Sequence, residues 1–261
     1  MKYVTLTYER LHGVGRITFS RPEIHNAFNG VMIDELYDLF DRLNRDKGVR
    51  VVVLTGEGKS FCAGADLNWM RAVKDYSYEK NFSESLKLAE VFHLIYSCPK
   101  PVVGRINGAA IGGGTGFVAV CDIAIASTNA VFSFSEVKIG VVPACISPYV
   151  IKRVGEGRAR EFFLTGERLT TDQALQSGLI NRAVPPEDLD AEVDAMVAQL
   201  ISSGPKALKC CKDLLDTVSD QSLQDAKIHT ARVIANLRKS DEGQEGMDAF
   251  LNKRKPNWVR E

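Results

Sequence analysis

Pro101-Val102-Val103-Gly104-Arg105-Ile106-Asn107-Gly108-Ala109-Ala110-Ile111-Gly112-Gly113-Gly114-Thr115-Gly116 is a proline break, an apolar strand and then five glycines within the ten residues 107–116. Glycines after a strand let another backbone approach closely. A helix starting inside the run would aim unpaired N–H groups and a partial positive charge at whatever lies in front. That suits an anion or an oxyanion, and tight packing of a small-residue helix would use the same residues. A dinucleotide fingerprint is a third reading, because Gly114-x-Gly116-x-x-Ala119 has the spacing and Glu136 follows at about the right distance. Its context is wrong: the fingerprint turns directly off a strand into a full helix, whereas several residues intervene here and Cys121-Asp122 follows soon after.

Outward from this run the chain alternates strands and helices. Residues 49–55 are nearly all β-branched, the mark of a strand buried on both faces. Before them, Met32, Ile33, Leu36, Leu39, Phe40 and Leu43 recur at helical spacing over residues 30–46. Further back, two β-rich runs flank Leu11-His12-Gly13-Val14-Gly15, a hairpin turn. A helix over residues 78–96 and a strand over 122–126 continue the alternation. Beyond residue 156 helical patterns dominate, at 158–164, 188–200, 205–218 and 222–237. The class is α/β, with a core expected over residues 1–190 and a helical region, suited to oligomerisation, over 191–261. Val184-Pro185-Pro186 marks the junction.

Composition narrows the function. Lys plus Arg equals Asp plus Glu at 33 each, a poor footprint for a nucleic-acid partner. No apolar run reaches the roughly 18 residues of a membrane helix, and Met1-Lys2-Tyr3-Val4-Thr5 lacks a signal-peptide core, so no membrane association and a cytoplasmic location are expected. The six cysteines show no CxxC spacing and read as reduced hydrophobes.

Phe61-Cys62-Ala63-Gly64-Ala65-Asp66-Leu67 is a second small-residue turn at a strand end, where α/β folds bind ligands. By itself it reads as a turn capped by Asp66. With the glycine run it supplies two backbone N–H groups able to converge on one oxygen, the shape of an oxyanion hole. Gly56-Glu57-Gly58-Lys59-Ser60 lacks the first glycine of a phosphate loop and reads as a surface turn. The four histidines form no metal or triad motif. Glu136 follows the apolar Val131-Phe132-Ser133-Phe134, where a carboxylate can be held protonated and serve as a general acid or base; a plain helix-start carboxylate beside Ser135 is the alternative.

Taken in order, these pieces resemble the enoyl-CoA hydratase/isomerase (crotonase) family. Arg21-Pro22 with Asn26-Ala27, the 61–67 turn, Pro99-Lys100-Pro101-Val102, Asn107-Gly108 through Gly114, Cys121-Asp122, Phe134-x-Glu136, Gly140-x-x-Pro143, Leu164-Thr165-Gly166 and Glu245-Gly246-Met247-x-Ala249-Phe250 with Lys253-Arg254-Lys255 all occur in family order. The resemblance implies a spiral of ββα units forming two roughly perpendicular sheets, a helical C-terminal region, and a homotrimer or a hexamer of paired trimers. It implies an acyl-CoA thioester substrate and neither metal nor separate cofactor, coenzyme A being part of the substrate. Carried over by position, Ala65 and Gly113 donate the oxyanion-hole N–H groups and Glu136 is the acid–base. Ala63, Asp66, Leu67, Asn68, Gly112, Gly116, Pro143 and Ala144 line the substrate, and Phe250 and Lys253 hold the nucleotide end.

One position departs from the family pattern. Family hydratases carry two glutamates, and the first falls on Gly116. One glutamate is also the pattern of many enoyl-CoA isomerases. Against that, Gly64-Ala65-Asp66-Leu67-Asn68-Trp69-Met70 and Pro143-Ala144-x-Ile146-Ser147-Pro148-Tyr149 resemble the bacterial methylglutaconyl-CoA hydratases of leucine breakdown. That substrate's own carboxylate would want a cation, for which Arg71, Lys74, Lys138 and Arg153 are candidates.

Overall fold

The computed structural model describes residues 3–259. Hairpin strands β1 (Leu6–Leu11) and β2 (Val14–Phe19) lead to α1 (Gly30–Arg45), β3 (Val51–Gly56), β4 (Ser60–Cys62), α2 (Leu67–Val73) and α3 (Tyr78–Tyr96). Then come β5 (Val102–Ile106), β6 (Ala109–Ile111), α4 (Gly113–Val120), β7 (Ile123–Ser127), β8 (Val131–Ser133) and α5 (Ser147–Thr165). β9 (Arg168–Thr170), α6 (Thr171–Gln176) and β10 (Arg182–Val184) precede four helices: α7 (Leu189–Ser202), α8 (Pro205–Thr217), α9 (Leu223–Lys239) and α10 (Asp241–Leu251). Among the described residues no helix is long and apolar enough to cross a membrane.

The strands sort into two sheets, β1-β2-β3-β5-β7-β10 and β4-β6-β8-β9. Three times a long strand of the first sheet is followed by a short strand of the second and then by helix: β3/β4, β5/β6 and β7/β8. Within each sheet these strands run parallel to one another, and the edge strand β9 pairs antiparallel with β8. The chain thus winds as a spiral of ββα turns, and each turn delivers a short strand, with the loop after it, to the same side of the molecule.

β3 shows why its sequence is apolar without alternation. Val52 and Leu54 face the main core, while Val51 and Val53 face a second cluster closed by Leu189 and Val193 of α7. Burying each such side chain is worth about 1.5–3 kcal/mol. α1 begins at residue 30 as its apolar spacing predicts, with Asn29 accepting the Met32 N–H at 3.0 Å as cap.

One helix is longer than its sequence pattern. The segment read as helical from residue 158 begins at Ser147, because Pro148 is tolerated in a first turn. Gly155, at φ +77°, divides it with a kink that interrupts the periodicity.

Candidate active site

Two backbone turns and one carboxylate meet at the start of α4. The first turn leaves β4 and is pinned on both sides: Ala63 N–H donates to His25 O at 3.0 Å, Phe28 N–H to Gly64 O at 2.8 Å, and Asp66 N–H to Phe28 O at 2.8 Å. Asp66 caps α2 through Asn68 N–H at 2.7 Å and pairs with Arg21 Nη2 at 2.7 Å. Arg21 also donates to Ala27 O, and buried Asn26 donates to Glu57 O and Ser60 O. The Arg21-Pro22 and Asn26-Ala27 pieces are therefore braces for this turn. Burial acts to raise the Asp66 carboxyl, but Arg21 and the N–H groups of Asn68 and Trp69 outweigh it and hold the pKa below the usual range.

The second turn starts α4. A Cβ on Gly64, which has φ +91°, would lie 2.8 Å from Ile111 O, and one on Gly114 would lie 2.0 Å from Cys62 O. Backbone thus rests directly on backbone, which brings the 63–65 turn against the helix start. The N–H groups of Ala65 and Gly113 have no hydrogen-bond partner among the described residues. The hydroxyl of Thr115, fully buried, lies 2.6 Å from Ala110 O and 3.0 Å from Ser133 O, so its one O–H ties α4 to β6 and β8. At the far end of α4 the Arg153 guanidinium donates to Cys121 O at 2.5 Å and Ala119 O at 3.4 Å, a cation where the helix dipole favours one.

Glu136 enters from β8. Phe134 anchors the strand end by packing on Phe162 and Phe163 at ring separations of 6.1 and 5.3 Å, and a short 3₁₀ turn, Ser135–Ile139, then carries the carboxylate forward. Gly112 N–H donates to Ser133 O at 2.8 Å, so this segment and the α4 start share one brace. A Cβ on Gly112 would lie 3.2 Å from Glu136 Oε1, which puts the carboxylate beside the turn that carries the Gly113 N–H. Oε2 is buried without a hydrogen-bond partner. Desolvation raises the pKa, and the residue's own N–H only partly opposes it.

These groups line a cavity of about 420 Å³, within the range of small-molecule sites. Of the residues expected at the substrate, Ala63, Ala65, Leu67, Gly112, Gly113, Glu136, Pro143 and Ala144 come together there. Five do not. Asp66 is turned into its ion pair with Arg21, and Asn68 accepts from Arg71 on the outer face of α2. Gly116 is buried behind Ile146 and Phe92. Phe250, 83% exposed on α10, and Lys253, just after it, stand away from this chain's cavity.

Phe28, Phe92 and Ile146 form a floor that sequence reading did not assign to the site. Nothing in the sequence distinguishes them from ordinary core side chains. Among the described residues the lining holds one carboxylate and no cation. Arg153 is committed to backbone carbonyls and Arg71 to Asn68, and Lys74 and Lys138 do not reach the lining. A second cleft, between α3, α5 and α8, is lined by charges already paired, Lys152 with Asp216 and Lys212 with Asp122. It presents no such unpartnered carboxylate.

Fold and site together describe an α/β protein whose cleft sets a lone, partly buried carboxylate beside backbone N–H groups. The family profile described as enoyl-CoA hydratase/isomerase matches residues 9–261. An enoyl-CoA hydratase from Shewanella pealeana superposes with a TM-score of 0.95 at 38% identity, covering 98% of this chain and 97% of that one. AtuE of Pseudomonas aeruginosa gives 0.95 at 32% identity over 98% and 100%. An enoyl-CoA hydratase from Mycobacterium smegmatis gives 0.92 at 34% over 98% and 99%. The chain belongs to the enoyl-CoA hydratase/isomerase family and has the crotonase fold.

Proposed function

We propose that the protein hydrates short or branched 2-enoyl-CoA thioesters, with Glu136 as the only acid–base group. The observation that carries this reading is the Glu136 carboxylate, half-buried, with one oxygen unpartnered, beside a turn whose N–H is free. Glu136 takes a proton from water as the oxygen bonds to the β-carbon. The C=C electron pair moves into the thioester, whose oxygen gathers negative charge under the N–H groups of Ala65 and Gly113. Each such donor is typically worth about 3–4 kcal/mol in the transition state. Protonated Glu136 then returns its proton to the α-carbon, so water is added across the double bond and the carboxylate is regenerated.

The second reading is double-bond isomerisation, in which Glu136 would carry a proton from the α- to the γ-carbon of a 3-enoyl thioester. The apolar wall next to Gly116 favours it, because no second carboxylate holds the attacking water. Loss of conjugated-thioester absorbance with crotonyl-CoA and with methylglutaconyl-CoA, run beside a 3-enoyl-CoA, separates the two. Hydration of a conjugated substrate is expected, and the faster substrate identifies the acyl class. Absorbance appearing only from the 3-enoyl thioester would make the protein an isomerase.

The raised pKa of Glu136 gives a second expected result. Hydration needs the ionised form, so kcat/KM should fall toward acid with an apparent pKa above the ordinary glutamate range. A profile flat through that range would remove Glu136 as the base. Exposed Leu223, Phe250 and Leu251 on α9 and α10 support assembly as a homotrimer or as a pair of trimers.

A further inference from the structure

We propose that Ile146 is the specificity-determining residue of the acyl pocket, closing it to long chains from the volume into which a side chain at position 116 would project. This rests on the reading of the cavity as an acyl-thioester site. A Cβ on Gly116 would lie 2.1 Å from Ile146 Cγ2, 3.0 Å from Ile146 Cβ and 3.1 Å from Phe92 Cε1. Two of these three contacts are to atoms at or next to the β-branch, which has little rotamer freedom to move aside. The two positions are therefore one packed unit: glycine at 116 makes room for isoleucine at 146.

Ile146 also faces the substrate side. It is 2% exposed and lines the cavity together with fully buried Phe92. Its backbone is fixed at the start of α5, where Ile146 O accepts the N–H groups of Tyr149 and Val150 at 3.1 Å. Leu67 and Val142, 69% and 66% exposed, also line the cavity and mark its solvent-exposed rim. A thioester held near Glu136 leaves its long coenzyme through the exposed rim and its acyl tail toward the buried floor. The tail ends against Phe92 and Ile146, a dry wall that accepts methyl groups and stops further carbons.

The test uses saturated thioesters, which cannot be hydrated, so it does not depend on turnover. In Ile146→Ala the ratio of dissociation constants for butyryl-CoA and hexanoyl-CoA should shift toward hexanoyl-CoA by about tenfold, the scale of a methylene-sized change in an apolar pocket. Ile146→Val should shift it in the same direction by less, and covers the case in which the alanine variant fails to fold. Gly116→Ala should lower Tm by roughly 5 °C in the natural background and by clearly less beside Ile146→Ala, which removes the 2.1 Å contact with Cγ2 and leaves those with Cβ and Phe92. A chain-length ratio unchanged within twofold in both Ile146 variants would overturn the specificity role. An equal loss of Tm from Gly116→Ala in both backgrounds would overturn the packing argument beneath it. Natural protein that binds butyryl-CoA but hydrates no 2-enoyl thioester would sink the hydratase reading alone, leaving this inference to be decided by the binding ratio.

Discussion

Glu136→Gln is expected to lower kcat for crotonyl-CoA hydration by about 10²–10⁴-fold, the usual contribution of a positioned acid–base group. Thioester affinity should change only a few fold. The substitution keeps the size and place of the side chain and removes only its ability to take and return a proton. No other carboxylate lines the cavity among the described residues, so nothing nearby substitutes for it. Folding should not suffer. Oε2 has no partner to be orphaned, and the pKa is raised by burial. A carboxyl whose folded pKa lies above its unfolded one contributes stability that is fully present below the unfolded pKa and is lost as pH rises through the folded one. At neutral pH the ionised glutamate is therefore a cost that glutamine avoids, and Tm should hold or rise. Turnover retained within a few fold would remove Glu136 from the chemistry.

The same residue shows what the sequence could reveal. Glu136 is conspicuous because a lone carboxylate follows four mostly apolar residues, and the two turns are conspicuous because backbone chemistry demands glycine. The spiral's long strands are equally plain, since burial on both faces leaves β3 apolar throughout. The three-residue strands β4 and β6 are too short to show a period, and helix α2 has no buried residue to give it an apolar stripe. The cavity floor is hidden for another reason. Phe28, Phe92 and Ile146 come from segments far apart in the chain, and an apolar side chain at a substrate looks the same as one in the core. Gly116 is ambiguous in the sequence for a related reason. Its position suggests contact with substrate, but its lack of a side chain serves the packing of Ile146.

Gly114→Ala should reduce kcat by about 10²–10³-fold, the loss typical of one misplaced oxyanion donor. The added methyl would sit 2.0 Å from Cys62 O and 2.9 Å from Cys62 C. Those are backbone atoms, which cannot swing aside as a side-chain end can, so either the start of α4 or the 63–65 turn has to move. That motion separates the Gly113 N–H from the Ala65 N–H, while the coenzyme's distant end still binds; kcat should fall more than KM rises. A displacement of about 1 Å is enough for a hundredfold effect when geometry sets the barrier. Some Tm will be lost as well, so the comparison requires a control for the Gly→Ala change itself. Gly157, within α5 and with nothing in 4 Å of an added Cβ, provides it. Gly157→Ala should leave kcat unchanged and raise stability slightly, through a less flexible unfolded chain and better helix propensity. If Gly114→Ala kept kcat near the level of Gly157→Ala, the close contact between the two turns would not be what aims the donors. The enolate would then have to be stabilised elsewhere in the cavity.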